Sequence, residues 1–313
     1  MVYLILFFIV AGGMVFFAKR LTHSGDNLGK SLGMESSWVG VVLLASITSL
    51  PELVTGITST NLGNQTMAIA NIFGSNTFNL FIIFILDVII LRKFVFIKNI
   101  DRKEGLKLSL LTLFLSSIFI LGSFFKEVQL LGQSPFILFI FGGYIFFMKS
   151  QGSNEEEKKK IDYTKVMKPL KIFLIDSIGV VILGYVLSQT ADKLAVTPIM
   201  GIVLGQSIIG GFLLAVSTSL PELIVSTEAV KKGDFQMAMG NILGSNLFNL
   251  ATLMVVEFLS KGSLYNYLGG FNFSVVGAAI LIQGIFSISL YYKKEKLSFL
   301  LLGGYLLSLV TSI

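Results

Sequence analysis

Thr48-Ser49-Leu50-Pro51-Glu52-Leu53 recurs 170 residues further on as Thr218-Ser219-Leu220-Pro221-Glu222-Leu223. Gly74-Ser75-Asn76 with Phe78-Asn79-Leu80 recurs at the same distance as Gly244-Ser245-Asn246 with Phe248-Asn249-Leu250. Across residues 48–81 and 218–251 this one offset gives 17 identities in 34 positions, more than shared apolar composition would produce. The halves therefore descend from one unit, and any fold for the chain is built twice.

The solvent for that fold follows from composition. The sequence is 54% hydrophobic and 13% charged, against roughly a quarter charged in an ordinary soluble domain. Apolar runs long enough to cross a hydrocarbon core, about 20 residues each as helix, recur from end to end. Stretches such as 78–91 and 297–310 are apolar in long runs, broken only by isolated polar residues, rather than alternating, so a β-barrel is set aside. The expected fold is an all-α membrane protein with spans near 2–18, 36–59, 65–91, 104–122, 131–148, 170–188, 201–228, 235–259, 272–292 and 296–312. Ten transmembrane helices would form two five-helix repeats, 1–148 and 170–313, joined by the linker 149–169 with its Glu155-Glu156-Glu157-Lys158-Lys159-Lys160 run.

Basic residues alternate between loops. Lys19, Arg20 and Lys30, then Arg92 to Lys103, Lys149 to Lys171, Lys231 and Lys232, and Lys293 to Lys296 mark one side; Lys126, Lys193 and Lys261 mark the other. The positive-inside rule places the first set, with the linker, in the cytoplasm and both termini outside. The net charge of +6 is thus a topology signal, and no nucleic-acid partner is expected. Lys19 and Arg20 follow the first apolar stretch rather than precede it, so that segment is read as a retained helix and not a cleaved signal peptide. Because each unit has an odd number of spans, the second copy enters the membrane inverted, which places a substrate site at the midplane between repeats.

Glu52 and Glu222 fall in mid-span with no lysine or arginine at matching depth. An ionised carboxylate there needs a cation, a proton or water. Thr48 and Glu52 are four apart, as are Ser75 and Asn79, so each pair projects from one helical face; Thr218 with Glu222 and Ser245 with Asn249 repeat the pattern. Pro51 and Pro221 cannot donate to the carbonyls of Ile47 and Ser217, which frees backbone oxygen locally. An all-oxygen donor set suits Na+ or Ca2+. With no cysteine, and His23 placed in a polar loop, a transition-metal site is not expected. Asp87 and Glu257, also 170 apart, are read as carboxylates at the interface rather than an outer cation-attracting pair, and Glu228, matched by Thr58, as lying near a cytoplasmic mouth.

The segments Ala45 to Glu52 and Ala215 to Glu222, each followed by Gly-Ser-Asn-x-Phe-Asn, resemble the paired alpha repeats of the calcium/cation antiporter superfamily, particularly its sodium/calcium exchangers. The resemblance implies a Na+/Ca2+ antiporter working by alternating access. Glu52 and Glu222 would ligate Ca2+ and share Na+, helped by Thr48 and Thr218. Ser49, Ser75 and the Ala45 carbonyl would form one flanking Na+ site, and Ser219, Ser245 and the Ala215 carbonyl the other, with Asn79 and Asn249 completing the centre. The first and sixth helices would slide across the rest. Ile47 and Ser217 stand where the family usually has glycine, and Asn79 and Asn249 where potassium-dependent relatives carry aspartate in the second copy, which argues against a potassium requirement.

The alternatives are a Ca2+/H+ or other cation exchanger on the same scaffold, an intramembrane enzyme, and a passive channel. Serine and threonine around the carboxylates favour Na+, since a proton needs no oxygen cage. Against an enzyme, there is no zinc-protease or Walker A motif, and the two acids lie in equivalent rather than contrasting surroundings. No cofactor and no obligatory protein partner are expected; the partners are Ca2+, Na+ and the lipid bilayer.

Overall fold

The computed structural model describes residues 2–130, 132–152, 163–196, 216–260, 262–294 and 298–311. Among these the chain is helical and no strand forms. The longer helices are α1 (Val2–Leu32), α2 (Ser36–Asn61), α3 (Gln65–Ile90), α4 (Arg102–Ser123), α5 (Pro135–Gly152), α6 (Tyr163–Val196), α7 (Leu220–Lys231), α8 (Phe235–Leu259), α9 (Gly270–Tyr292) and α10 (Ser298–Thr311), with short turns at Phe96–Asn99 and Leu264–Tyr267. Seven of the described helices are long and apolar enough to cross a membrane. The expected span 201–228 lies largely outside the described residues, as does 153–162 of the expected linker; α6 begins at Tyr163, ahead of the boundary read from hydropathy.

Helix ends are set by local chemistry that the two halves share. Gly63 and Gly233 take left-handed φ values of 79° and 80°, where a side chain would be strained. Their amides close back on the Thr60 and Val230 carbonyls at 2.9 Å. The next residues, Asn64 and Asp234, cap α3 and α8 by accepting from the Met67 and Met237 amides at 3.1 and 2.9 Å. The same turn is thus made twice, with the glycine and the capped methionine repeated and Asp234 standing in for Asn64.

One expectation is corrected at the N-terminal end. The first helix does not stop near residue 18 but continues to Leu32, so Lys19, Arg20 and His23 lie on a helix and not in a loop. Nothing breaks it before Gly33, at φ 74°. Leu21, Thr22, Ser24, Gly25, Leu28 and Gly29 carry its buried face past the charged pair. Hydropathy reads charge as the end of a span, whereas the helix needs one apolar stripe and leaves its other face free.

The most enclosed helices, α3 and α8, cross at the centre. Around them pack α2, α4, α7 and α9, while α1 and α6 run antiparallel along one flank with the most extensive mutual contact in the molecule. Large apolar side chains on the outer faces of that pair, including Phe8 and Ile9 of α1 and Ile175 and Ile178 of α6, are exposed, as a lipid-facing surface requires. Between the two helices, Arg20 Nε lies 3.0 Å from Oδ1 of the fully buried Asp176. Lower on α1, Lys19 pairs with Glu228 at 3.6 Å and Asp26 with Lys232 at 3.9 Å, tying α1 to the end of α7. Glu228 thus sits at a charged helix end.

Helix α2 has two irregularities. Val39–Leu44 is a π turn, and at Ser49, with φ −89° and ψ 5°, the helix breaks before restarting at Leu50. The π turn lies where α2 meets α8 backbone to backbone through Gly40, Gly240 and Gly244. A Cβ on Gly244 would stand 2.8 Å from Val41 Cα and 2.9 Å from Ala45 Cβ. Main chain cannot yield as a side-chain tip can. Gly244→Ala is therefore expected to cost about 1–3 kcal/mol and to lower the melting temperature of the purified protein by several degrees; an unchanged melting curve would show that this contact is loose.

Candidate functional site

The break at Ser49 and its counterpart at Ser219, with φ −91° and ψ 10°, set the site. In each, proline follows within the first turn of the new helix, where its missing N–H is harmless, and the glutamate comes next. At Ser49 the amide keeps its ordinary bond to the Ala45 carbonyl at 3.1 Å and also reaches toward the Ile47 carbonyl that Pro51 leaves free, and the Ala45 carbonyl accepts the Thr48 hydroxyl as well at 3.4 Å. Ile47 is therefore less available than proline chemistry alone suggests. Ala215 lies outside the described residues.

Thr48, Ser49, Glu52, Ser75, Asn79, Thr218, Ser219, Glu222, Ser245 and Asn249 are all fully buried, and their contacts run crosswise between halves. Ser49 Oγ donates to Glu222 Oε1 at 2.9 Å, and Ser219 Oγ donates to Glu52 Oε1 at 3.1 Å. Thr48 and Thr218 stand beside the opposite half's carboxylate in the same way. Ser245 adds a longer bond to Glu222 Oε1 at 3.4 Å and lies 3.5 Å from the Thr48 hydroxyl. Each glutamate thus has one oxygen satisfied by hydroxyls of the other half.

The remaining oxygens are not satisfied. Glu52 Oε2, Glu222 Oε2, Ser75 Oγ, Asn79 Oδ1 and Asn249 Oδ1 are buried without a hydrogen-bond partner. Buried polar atoms in native proteins are nearly always paired, so five oxygen orphans on residues of the repeated motifs need a reason. All are acceptors or can serve as such, and two belong to carboxylates close enough to repel one another. Oxygens of this kind are the ligands a hard cation takes. Among the described residues no group of three or more histidine, aspartate or glutamate side chains gathers, so hydroxyl and amide oxygens must complete any such coordination.

Four residues of this centre were not singled out from the sequence. Asn71 and Asn241 donate their side-chain amides to the main-chain carbonyls of Glu52 and Glu222, each at 3.3 Å, steadying the turn that carries the carboxylate. Asn76 and Asn246 exchange bonds across the centre, Asn76 Nδ2 to the Asn246 carbonyl at 3.2 Å and Asn246 Nδ2 to the Asn76 carbonyl at 3.3 Å. Their Oδ1 atoms then accept from Asn249 and Asn79, both at 3.0 Å. That use of the amide nitrogens leaves the oxygens of Asn79 and Asn249 as the orphans. All four asparagines are identities in the repeat, which was the available signal.

Asp87 and Glu257 are not exposed carboxylates. Both are buried and accept from backbone amides of loops: Asp87 Oδ1 from Val95 and Phe96 of the following loop at 3.0 and 2.8 Å, Glu257 from Leu264 of its following loop at 2.6 Å and from Ser134, just ahead of α5, at 2.9 Å. They fasten loops and stand apart from the central cluster.

An all-helical membrane scaffold with paired buried carboxylates inside a cage of hydroxyl and amide oxygens defines a cation transporter. The chain matches the sodium/calcium exchanger protein family over residues 2–149 and 169–313, and it belongs to that family; it is a cation/Ca2+ antiporter. It is 26% identical over 287 residues to a putative antiporter, CaxA, of Alkalimonas amylolytica, covering 88% of this chain and 87% of that one. It is 29% identical over 274 residues to an uncharacterised membrane protein of Methanocaldococcus jannaschii, covering 87% and 84%. The fold is that of the solved sodium-calcium exchanger NCX_Mj, with a TM-score of 0.75 at 19% identity, covering 99% of this chain and 98% of that one.

Proposed function

We propose that the chain exchanges Na+ for Ca2+ by alternating access, with Glu52 and Glu222 as the carboxylates both ions share. The observation that carries this reading is the set of orphaned, fully buried oxygens on Glu52, Glu222, Ser75, Asn79 and Asn249, all of them residues of the repeated motifs. Thr48 and Thr218 assist the carboxylates. Ser49, Ser75 and the Ala45 carbonyl serve one flanking Na+ position, and Ser219, Ser245 and the Ala215 carbonyl the other. Both substrates are hard cations that take oxygen ligands, and two ionised glutamates balance one Ca2+.

The scaffold for this cycle is ten transmembrane helices in two inverted five-helix repeats, 1–148 and 170–313, with the linker 149–169 in the cytoplasm and both termini outside. The crosswise bonds Ser49 to Glu222 and Ser219 to Glu52 support a twofold relation between halves, and the antiparallel run of α1 against α6, from Tyr3 beside Lys193 to Arg20 beside Asp176, supports the inversion. The α1 and α6 pair, packed as a unit on one flank, is the element that slides. No cofactor enters the cycle. An enzyme would need one acid and one base in contrasting surroundings, and the two glutamates have near-identical ones.

Ca2+/H+ exchange is the competing reading. It would use the central carboxylates and amide oxygens for Ca2+ but leave the two flanking serine positions without a Na+ to hold. Purified protein in Na+-loaded vesicles, assayed for radioactive Ca2+ uptake, separates the two: uptake is expected to require the outward Na+ gradient and to collapse when Na+ is equal on both sides. Uptake that follows an imposed pH gradient instead, with Na+ irrelevant, would replace Na+ by the proton as coupling ion.

A further inference from the structure

Asn79 and Asn249 are held alike through their amide nitrogens, yet the asparagine that holds Asn79 has a further support. Asn246 Nδ2 reaches Gln283 Oε1 of α9 at 3.4 Å. Gln283 Nε2 in turn donates to the Ser109 carbonyl of α4 at 3.2 Å and to the Ser109 hydroxyl at 2.7 Å. Ser109 and Ser287 hydroxyls meet at 2.7 Å, and Ser287 donates to the Gln283 carbonyl at 2.9 Å. Gln283, Ser109 and Ser287 are all buried. A glutamine amide in the middle of an apolar helix is costly unless fully bonded, and this one uses both its ends.

The direction of the chain is fixed by chemistry. A main-chain carbonyl can only accept, so Gln283 must turn its nitrogen to Ser109 and its oxygen to Asn246. Asn246 then presents its nitrogen to Gln283 and to the Asn76 carbonyl, and its Oδ1 to Asn79 Nδ2. Asn79 is left with its oxygen, and not its N–H2, facing away from Asn246 and unpartnered. For a cation the distinction decides everything, since the amide nitrogen end would repel it.

Among the described residues the other half shows no such brace. The repeat places Leu113 where Gln283 stands and Ala279 where Ser109 stands. Asn76, which holds Asn249, donates to the Asn246 carbonyl at 3.2 Å. The support is thus one-sided in an otherwise paired centre, and the repeat could not have revealed it.

We propose that Gln283 is a positioning residue for cation binding: through Asn246 it locks the Asn79 amide with its oxygen toward the ion. This rests on the reading of the central cluster as the cation site. Gln283→Met keeps length and packing but removes both polar ends, and in purified full-length protein it is expected to weaken Ca2+ binding about ten-fold. The decisive comparison uses Asn79→Asp, whose carboxylate offers an oxygen whichever way it turns. Adding Gln283→Met to Asn79→Asp is expected to cause no further loss, whereas a purely structural role for Gln283 would weaken both backgrounds equally.

Equal weakening in both backgrounds, or none in either, overturns the proposal. Should Gln283→Met fail to fold, Ser109→Ala removes one of the glutamine's anchors; its smaller loss of Ca2+ affinity must likewise vanish in the Asn79→Asp background, and a loss that persists there also overturns it. Glu52→Gln, measured alongside, distinguishes the two levels. Ca2+ binding undiminished by Glu52→Gln would refute the site itself, while loss there with no effect of Gln283→Met would refute the brace alone.

Discussion

Glu52→Gln is expected to abolish Na+-driven Ca2+ uptake while leaving the protein folded, and Glu222→Gln to do the same. Glutamine matches glutamate in shape, and its carbonyl oxygen can still accept the Ser219 or Ser49 hydroxyl that now lies at 3.1 or 2.9 Å from the carboxylate. What is lost is charge. Removing one of two negative charges next to a divalent cation is worth several kcal/mol, taking about 4 kcal/mol per unit-charge pair at 4 Å and an effective dielectric near 20. Affinity should therefore fall at least about 100-fold. Both groups are fully buried, so neither variant exposes new surface, and removing a charge from the interior relieves desolvation. Size-exclusion profiles and melting curves like those of the unaltered protein, together with dead transport, are the expected combination; normal uptake in either variant would remove that glutamate from the site.

The second large effect concerns stability rather than binding. Asp176 is fully buried between α6 and α1, and among the described residues Arg20 is its ion-pair partner, with a guanidinium that also lies over the Phe16 and Phe17 rings at 5.4 and 5.9 Å. Arg20→Leu leaves the carboxylate buried and uncompensated, which typically costs about 3–5 kcal/mol. Replacing both, as Arg20→Leu with Asp176→Leu, is expected to restore most of the loss, because an apolar pair of similar volume needs no compensation. Thermal unfolding in detergent reads both. A double variant no more stable than Arg20→Leu would mean that the arginine acts through its aromatic contacts instead. In the proposed cycle this pair joins the two sliding helices, so the single variant should also slow exchange.

How much of this was legible in the sequence depends on which information the repeat carries. A motif repeated at one offset says that two surroundings match, and the matched bonds of Ser49 with Ser219 and of Asn76 with Asn246 follow from that. It does not say which half supplies a partner. The crosswise pairing of each serine with the opposite glutamate became visible only once the helices were packed. Asn71 and Asn241 were in plain view as identities, but a polar residue in a repeated segment gives no hint that it steadies a carbonyl rather than faces an ion.

Residues outside the repeat were harder still. Gln283, Ser109 and Asp176 have no polar counterparts in the other half, where Leu113, Ala279 and Leu6 stand. Arg20 was mistaken for a loop residue because charge next to an apolar run is the usual sign of a membrane boundary; α1 keeps its stripe of small and apolar side chains past that charge and packs on α6 regardless. Asp87 and Glu257 read from the sequence as carboxylates at the interface and are buried loop fasteners in the fold, since a carboxylate near a helix end finds backbone N–H groups close by.

The central claim is that one cation sits between Glu52 and Glu222. Anomalous scattering from crystals grown with Sr2+ in place of Ca2+ tests it without any transport assay. A single strong peak within coordination distance of both carboxylates and of the Asn79 and Asn249 oxygens, weakened by Na+, is the predicted result. A peak bound elsewhere, with those four side chains remaining unligated, would contradict the account.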